Sequence, residues 1–139
     1  MIYTIHAPVD MLHVDWERVQ PLMETAVRRT LGEESATSIY LDAVGGLKQF
    51  WYAKEDDEII GVVVTQLIVH VTGKKECRIV LVAGAPHTMK DWFVEMRDRI
   101  TEWARGYGCH FIVGYGRGGW EKLFDNYAKK VYTVFAKQL

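Results

Sequence analysis

The sequence predicts an α/β fold: a mixed, mostly antiparallel central sheet flanked by helices, in the order β-α-α-β-β-β-α-β-α-β. Between residues 48 and 84, runs rich in β-branched and aromatic residues are separated by the turn-forming segments EDDE and TGKK. From Ile79 onward, apolar runs alternate with segments of helical periodicity, which is typical of α/β units. The connections are short, so we expect a single domain, residues 1–139.

The composition is that of an ordinary globular protein. The chain has 139 residues, of which 49% are hydrophobic and 25% are charged, with a net charge of −1. A chain of this length buries roughly 68–70% of its unfolded surface, so one core suffices. The near-neutral charge argues against a general attraction to nucleic acid or to anionic membranes.

The sequence also indicates the compartment. The first residues lack a basic segment followed by an apolar core, and no apolar run has the length of a membrane span. Cys77 and Cys109 fall in predicted interior strands without a metal-binding spacing, and we expect buried, reduced thiols. We therefore expect a soluble protein of a reducing compartment.

The N-terminal segment predicts an edge strand and a helix. Residues 1–8 alternate in polarity, and Pro8 ends the strand because proline cannot continue a hydrogen-bonded ladder. An apolar stripe over residues 19–31 predicts a helix that begins near Pro21 and ends at Gly32.

A second, short helix is predicted to follow. Ser35 or Thr37 supplies a side chain suited to its N-cap, and the glycine pair 45–46 ends it. The three strands between residues 48 and 84 come next, and their turns predict antiparallel hairpins.

The region after these strands predicts a long helix. Thr88 followed by Asp91 is the pattern of a helix N-cap, and Gly106 with Gly108 predicts the helix end. The spacing of three and four residues predicts this buried stripe: Phe93, Met96, Ile100, Trp103 and Tyr107. Beyond the helix, we predict a strand, a helix and a last strand at residues 109–115, 116–127 and 129–139.

Several segments support a resemblance to a known family: IIGVVVTQLIVHVTGKKECRIVLVAG, EWARGYGC, YGRGGWEKLF and VYTVFAKQL. With this order of elements, the chain resembles the GNAT superfamily, the fold of acetyl-CoA-dependent N-acetyltransferases. The same segments are similar to small phage and prophage proteins of GNAT type. The resemblance implies acetyl-CoA as the cofactor of a catalytic member.

The resemblance also implies where acetyl-CoA would lie. In the family, a strand before the long helix offers backbone groups to pantetheine, and a glycine-rich turn receives the pyrophosphate. In this chain that turn contains Pro86, which has no N–H, and it lacks the family's Gln or Arg. The positions implied for pantetheine are Val82, Ala83 and Gly84, and those for the pyrophosphate are Ala85, His87 and Thr88.

Two catalytic positions follow from the same resemblance. Glu76 would be the base for the amine, directly or through water, although it can also be a solvated hairpin residue. Gln66 and His70 are weaker polar candidates. The family's proton-donating tyrosine aligns with Phe124, which cannot donate, so Tyr127 one turn later is the substitute candidate.

The remaining polar groups give weaker signals. The five histidines show no spacing typical of a metal site, so we predict no metal. Arg117 lies in the glycine-rich segment 116–119 and is a candidate anion contact.

Because Pro86 and Phe124 depart from the family pattern, the sequence favours a non-catalytic phage protein, a virion or assembly component. Such a protein would act in the host cytoplasm or in the virion, and it would bind other phage proteins or self-associate. The alternative is an acetyl-CoA-dependent N-acyltransferase that acts on an unknown amine.

Overall fold

The computed structural model describes residues 1–116 and 120–139, which form one sheet with helices on both sides. The helices and strands follow in this order: β1 Ile2–His6, a 3-10 turn at Val9–Met11, α1 Leu12–Val27, α2 Ala36–Val44, β2 Gln49–Glu55, β3 Glu58–Val69, β4 Lys75–Gly84, α3 Met89–Gly106, β5 Phe111–Gly114 and α4 Trp120–Leu123.

The sheet confirms the predicted fold class. Its strand order is β1-β2-β3-β4-β5. The pairings from β1 to β4 are antiparallel, whereas β4 and β5 are parallel. Since parallel strands need a crossover connection, α3 carries the chain from the end of β4 back to the start of β5.

The core lies on both faces of the sheet. Alternate residues of a strand point to opposite faces, so neighbours in β3 such as Val62 and Val63 enter different clusters. One cluster packs under α1 and α2, and the other packs under α3. Both faces of the central strands are therefore buried away from water, which explains why these strands are continuous apolar runs.

The first helix is longer than predicted. It begins at Leu12 and contains Pro21 in its interior, so the prediction of a start near Pro21 was wrong. Proline removes one helical hydrogen bond. The helix continues because Leu12, Val19 and Met23 form a fully buried face against the sheet. The second helix follows the prediction, with Ser35 as its N-cap in a reciprocal hydrogen-bond pair with Ser38.

The cap of α3 differs from the prediction. Thr88 is the N-cap residue, but its side chain does not cap the helix. The hydroxyl donates to the carbonyl of Ala85 at 2.8 Å and accepts from the Trp92 indole at 3.2 Å. The side chain therefore ties the preceding loop to the core.

The buried face of α3 is confirmed in its centre and shifted at its ends. Phe93, Met96 and Ile100 are buried, whereas Tyr107 is 53% exposed. Trp92 and Ala104 belong to the buried face as well. Tyr107 follows the last helical residue, so helical spacing does not carry its side chain onto the core.

The C-terminal segment differs most from the prediction. Residues 129–139 have no regular structure, so the predicted last strand is absent. A strand needs a hydrogen-bonding partner, and in the described ranges the four residues of β5 pair only with β4. Only Trp120–Leu123 of the predicted last helix is helical. Arg117 and the rest of 117–119 lie outside the described residues, so its anion contact stays a prediction.

The described helices include none with both the length and the apolar character that crossing a membrane requires.

Candidate functional site

The end of β4 diverges from β5. Their pairing covers only Glu76–Ile79 of β4, although β4 continues to Gly84. The pairing of β3 with β4 skips Val80, which is the extra residue of a β-bulge. A bulge bends its strand and strengthens its twist, here where β5 leaves. We call the wedge between residues 80–84 of β4 and the end of β5 the splay.

The backbone of β4 is open toward the splay at alternate residues. The N–H of Ala85 donates to the carbonyl of Ile60 on β3 at 2.8 Å. Antiparallel pairing alternates hydrogen-bonded and free positions, so Ala83 also faces β3. Val82 and Gly84 direct their N–H and C=O groups to the opposite edge, toward the splay.

The loop after β4 ends in a favourable place for an anion. It closes on itself, since the N–H of Thr88 donates to the carbonyl of Ala85 at 3.3 Å. His87 has a φ of 64°, a left-handed conformation that is uncommon for a residue with a side chain. The first turn of α3 follows, and the amides of Met89 and Lys90 have no helical acceptors. The helix dipole adds partial positive charge there.

Trp92 fills the space below this loop. Its indole is fully buried and lies against Gly61 of β3 and Gly84 of β4. A Cβ at Gly84 would lie 3.0 Å from the ring, and one at Gly61 would overlap it. Glycine at both positions lets the indole support the end of β4 from below.

The base of the splay is apolar. Phe124 lies against Gly114, where a Cβ would be 3.0 Å from the tip of the ring. Its ring is 6.0 Å from that of Phe93 on α3, and Trp120 stacks on it at the same centroid distance. The position that the resemblance gives to a proton donor is therefore at the splay, but it carries no dissociable proton.

The structure does not bring Tyr127 to the splay. The Tyr127 hydroxyl is 2.5 Å from that of Thr101, and the guanidinium of Arg97 lies 4.4 Å from its ring centre. Thr101 is about 12 Å further along α3 than Phe93, at 1.5 Å per residue. Tyr127 thus holds the segment after α4 on the flank of α3.

Glu76 is buried rather than solvated, with 5% of its surface exposed. Its Oε1 oxygen lies 2.5 Å from Nε2 of His70, and its Oε2 accepts from Nε of Arg78 at 3.0 Å. Burial alone would raise the pKa of Glu76, but the hydrogen bonds from Arg78 and His70 outweigh it, so the pKa lies below the ordinary value. The carboxylate is therefore deprotonated, and its contacts with Arg78 and His70 fix its position.

The polar cluster reaches the splay through Arg78. In β4, Glu76 and Arg78 share one face, and the guanidinium lies 4.4 Å from the ring centre of Tyr115. Tyr115 directly follows β5. Sequence reasoning missed both Arg78 and Tyr115, although the spacing of two residues from Glu76 would have placed Arg78 on the same face.

Two surface depressions stand out in the described part of the chain, and neither borders the splay. One of about 560 Å³ is lined by residues of β1, β2 and α3, among them His6 and Trp103. The other, of about 280 Å³, lies between α1 and the start of β3.

No protein-family model matches the sequence, and no curated protein matches it. The fold is similar to that of solved acetyltransferases. One is the aminoglycoside acetyltransferase HMB0005 from an uncultured soil metagenomic sample, with a TM-score of 0.77, 11% identity, and 100% of this chain and 98% of that chain covered.

Two further solved structures have a similar fold. A GCN5-related N-acetyltransferase from Ralstonia eutropha JMP134 has a TM-score of 0.70 at 13% identity and covers 100% of this chain and 99% of its own. A predicted acetyltransferase from Clostridium acetobutylicum, solved with acetyl-CoA, has a TM-score of 0.69 at 16% identity, with coverages of 100% and 96%. The chain has the GNAT fold. At such identities the likeness shows the fold alone.

Proposed function

We propose that this chain binds acetyl-CoA at the splay and transfers the acetyl group to an amine. The observation that carries the proposal is the bulged end of β4, which leaves the backbone of Val82 and Gly84 open beside the start of α3. The solved acetyl-CoA complex of a protein with this fold supports it. The sequence alone favoured the non-catalytic role over the N-acyltransferase, and our proposal puts the N-acyltransferase first.

The residues at the splay fit the two polar parts of the cofactor. The free N–H and C=O groups of Val82 and Gly84 would pair with the amides of pantetheine as another strand would. The pyrophosphate would lie at the first turn of α3 beside His87 and Thr88, where the amides and the helix dipole favour an anion. The backbone N–H of Ala85 is already bonded to β3, so Ala85 and Ala83 would contribute only contact surface.

Proton removal from the amine is assigned to the pair of His70 and Glu76. The Glu76 carboxylate is already bonded to the guanidinium of Arg78 and to the ring of His70, which makes it a weak base. The His70 side chain is 45% exposed, so its imidazole is accessible to an incoming amine or to water, and imidazole is the commonest general base in proteins. Val80 is four positions beyond Glu76, about 13 Å along the strand, so the proton would reach the pair through water.

No side-chain proton donor is required at Phe124. Acetyl-CoA, when bound, supplies an activated thioester whose leaving group is a thiolate. A thiol has an ordinary pKa of about 8.5, so the thiolate leaves near neutral pH without a general acid. Tyr127 is then a positioning residue for the segment after α4, through its hydrogen bond to Thr101.

The experiment is an acetyl-transfer assay with acetyl-CoA and a panel of amines, followed by mass spectrometry of each amine. The panel includes a peptide with an N-terminal alanine and an aminoglycoside, acceptors suggested by names of structural neighbours. We expect acetylation of at least one amine, and loss of most of that activity in His70→Ala. Acetylation that is equally fast in His70→Ala would contradict the assignment of the base.

A second candidate is the non-catalytic virion or assembly component of a phage. The apolar contact of Phe124 with Phe93 and Gly114, together with the fully paired Glu76, favours it. Its test is genomic and biochemical: neighbouring genes for portal, capsid or tail proteins, and the chain present in purified particles. Under this function acetyl-CoA neither binds nor reacts.

A further inference from the structure

The larger of the two surface depressions has aromatic walls. It has a volume of about 560 Å³, and we call it the side pocket. Its aromatic lining residues are His6, Trp51 and Trp103. The imidazole of His6 stacks on the Trp51 indole, with 4.2 Å between ring centres and 14° between the ring planes. Trp103 stands nearly perpendicular to both rings, at centre distances of 5.5 and 5.3 Å.

The fold fixes these rings in advance of any ligand. His6 and Trp51 are direct partners in the pairing of β1 with β2. Trp51 is fully buried, and its indole N–H donates to the hydroxyl of Thr65 at 3.0 Å. Trp103 packs partly against the buried cluster under α3. A ligand in the side pocket would therefore meet rigid aromatic surfaces and lose little affinity to ordering them.

The rim of the side pocket is negatively charged. It carries three carboxylates and one guanidinium, all from α3: Glu95, Asp98, Glu102 and Arg99. Burial lowers the pKa of His6 below its ordinary value of 6.5, so the imidazole is neutral at neutral pH. The aromatic lining thus adds no positive charge to offset the carboxylates.

Arginines near the rim offset this charge only in part. Arg99 is held by the Thr4 hydroxyl, to which its Nε donates at 3.0 Å, and it lies 3.8 Å from the Glu95 carboxylate. Asp98 and Glu102 pair with arginines outside the pocket lining, at 3.7 and 2.5 Å, and their side chains are 66% and 73% exposed. Exposed ion pairs are weak, so these two carboxylates keep the rim attractive to a cation.

The geometry favours an organic cation over a metal ion. Among the described residues, no three His, Cys, Asp or Glu side chains converge as a metal ion requires. The carboxylates are instead spread along α3, since Glu95 and Glu102 are separated by about 10 Å at 1.5 Å per residue. A cation of low charge density suits such a rim, and aromatic rings recognise quaternary ammonium groups in particular.

We propose that the side pocket binds a small organic cation that carries a quaternary ammonium group. The methyl groups around the nitrogen contact the rings of His6 and Trp103, and the carboxylates of α3 supply the opposite charge. A quaternary nitrogen has no N–H, so the site needs no hydrogen-bond acceptor for it. The side pocket does not border the splay, and its binding is independent of acetyl-CoA.

The test uses the full-length protein with choline as the probe. The comparison ligand is the uncharged analogue of choline in which a carbon atom replaces the ammonium nitrogen, because its shape is the same. Calorimetry measures the affinity at constant ionic strength without acetyl-CoA, and NMR signals of the His6 ring and the Trp103 indole locate the site. The variants are Trp103→Leu and Glu102→Gln. Glu33→Gln, in the loop between α1 and α2, is the control for net charge.

We expect choline to bind and to shift the signals of His6 and Trp103, whereas the neutral analogue does neither. Trp103→Leu should weaken binding about tenfold, the effect of one lost cation–π contact. Glu102→Gln should weaken it about two- to fivefold, and Glu33→Gln should bind like the wild type. Because Glu102 is exposed, its variant keeps the fold even if Trp103→Leu does not.

Three results would each overturn the proposal. One is the absence of choline binding at millimolar concentration. Another is equal binding of choline and its neutral analogue, which would show that the charge is not recognised. The third is unchanged affinity in Glu102→Gln, or choline-induced shifts that leave the signals of His6 and Trp103 in place.

Discussion

The Nε2 atom of His70 lies 2.5 Å from the Oε1 atom of Glu76, which joins the end of β3 to the start of β4 on one face of the sheet. Arg78 binds the other oxygen of the same carboxylate. The contacts from His70 through Glu76 to Arg78 run toward the splay and fix the positions of these three polar side chains. They also make the carboxylate a contributor to stability.

Replacing Glu76 by Gln should destabilise the protein by about 1–3 kcal/mol, because it removes the negative charge that pairs with Arg78 and contacts the His70 ring. The value stays at the low end if the partly exposed Arg78 and His70 regain water. Urea unfolding of the wild type and Glu76→Gln measures it. The exposed Glu58→Gln is the control and should change little.

The same pair predicts a pH dependence. Folding lowers the pKa of Glu76 below its ordinary value of 4.5. A group with a lowered folded pKa contributes stability above the ordinary pKa, and this stability is lost as pH falls through the folded pKa. The difference in unfolding free energy between the wild type and Glu76→Gln should therefore be constant above about pH 5 and become smaller in acid. A difference that becomes larger in acid would contradict a lowered pKa of Glu76 in the folded protein.

Alanine substitutions at two glycines should have different effects on stability. Gly61→Ala forces a Cβ into the Trp92 ring, and overpacking of this kind costs about 1–3 kcal/mol. Gly106→Ala meets no atom within 4 Å at the end of α3, so it should be neutral or stabilise by up to about 1 kcal/mol. Thermal unfolding compares them. Equal stability of the two variants would show that Trp92 does not lie under Gly61.

The two cysteines should differ in reactivity. Cys77 is fully buried, and burial raises the pKa of its thiol to about 12, so almost no thiolate exists at neutral pH. Cys109 is partly exposed, and burial raises its pKa as well. Alkylation followed by peptide mass spectrometry should label Cys109 slowly in the folded protein and Cys77 only after unfolding. Fast labelling of Cys77 in the native state would contradict the described packing.

Tyr127→Phe should leave acetyl transfer nearly unchanged, because the hydroxyl lies on the flank of α3 rather than at the splay. The loss of its hydrogen bond to Thr101 should reduce stability by about 1 kcal/mol. The measurement is the pH profile of kcat beside urea unfolding of the same variant. If kcat falls strongly and the basic limb of the profile disappears, Tyr127 is the proton donor after all.

The sequence predicted the fold well where local signals and packing agree. The strands of the hairpins and α2 follow turn residues and caps, such as Ser35, that act locally. The start of α1 was missed because a proline normally marks a first turn, whereas burial of Leu12 carries the helix across Pro21. The last strand was predicted from its composition alone, but pairing requires a partner edge that composition does not reveal.

The resemblance implied a cofactor along Val82, Ala83 and Gly84, and this position stays a prediction. The structure adds that Val82 and Gly84 have open backbone groups whereas Ala83 faces β3. The pairing of Glu76 with His70 and Arg78 depends on the register between β3 and β4, which one sequence does not specify. The distance of Tyr127 from the splay depends likewise on how the segment after α4 packs on α3.

The most direct measurement is thermal unfolding of the purified protein with increasing acetyl-CoA or CoA, and with pyrophosphate alone as the control for general anion binding at α3. A ligand at a hundred times its dissociation constant stabilises the folded state by about 2.7 kcal/mol. Binding at the splay predicts a saturable rise in the unfolding temperature with acetyl-CoA and with CoA, well above that with pyrophosphate. No rise with either at millimolar concentration would contradict binding at the splay.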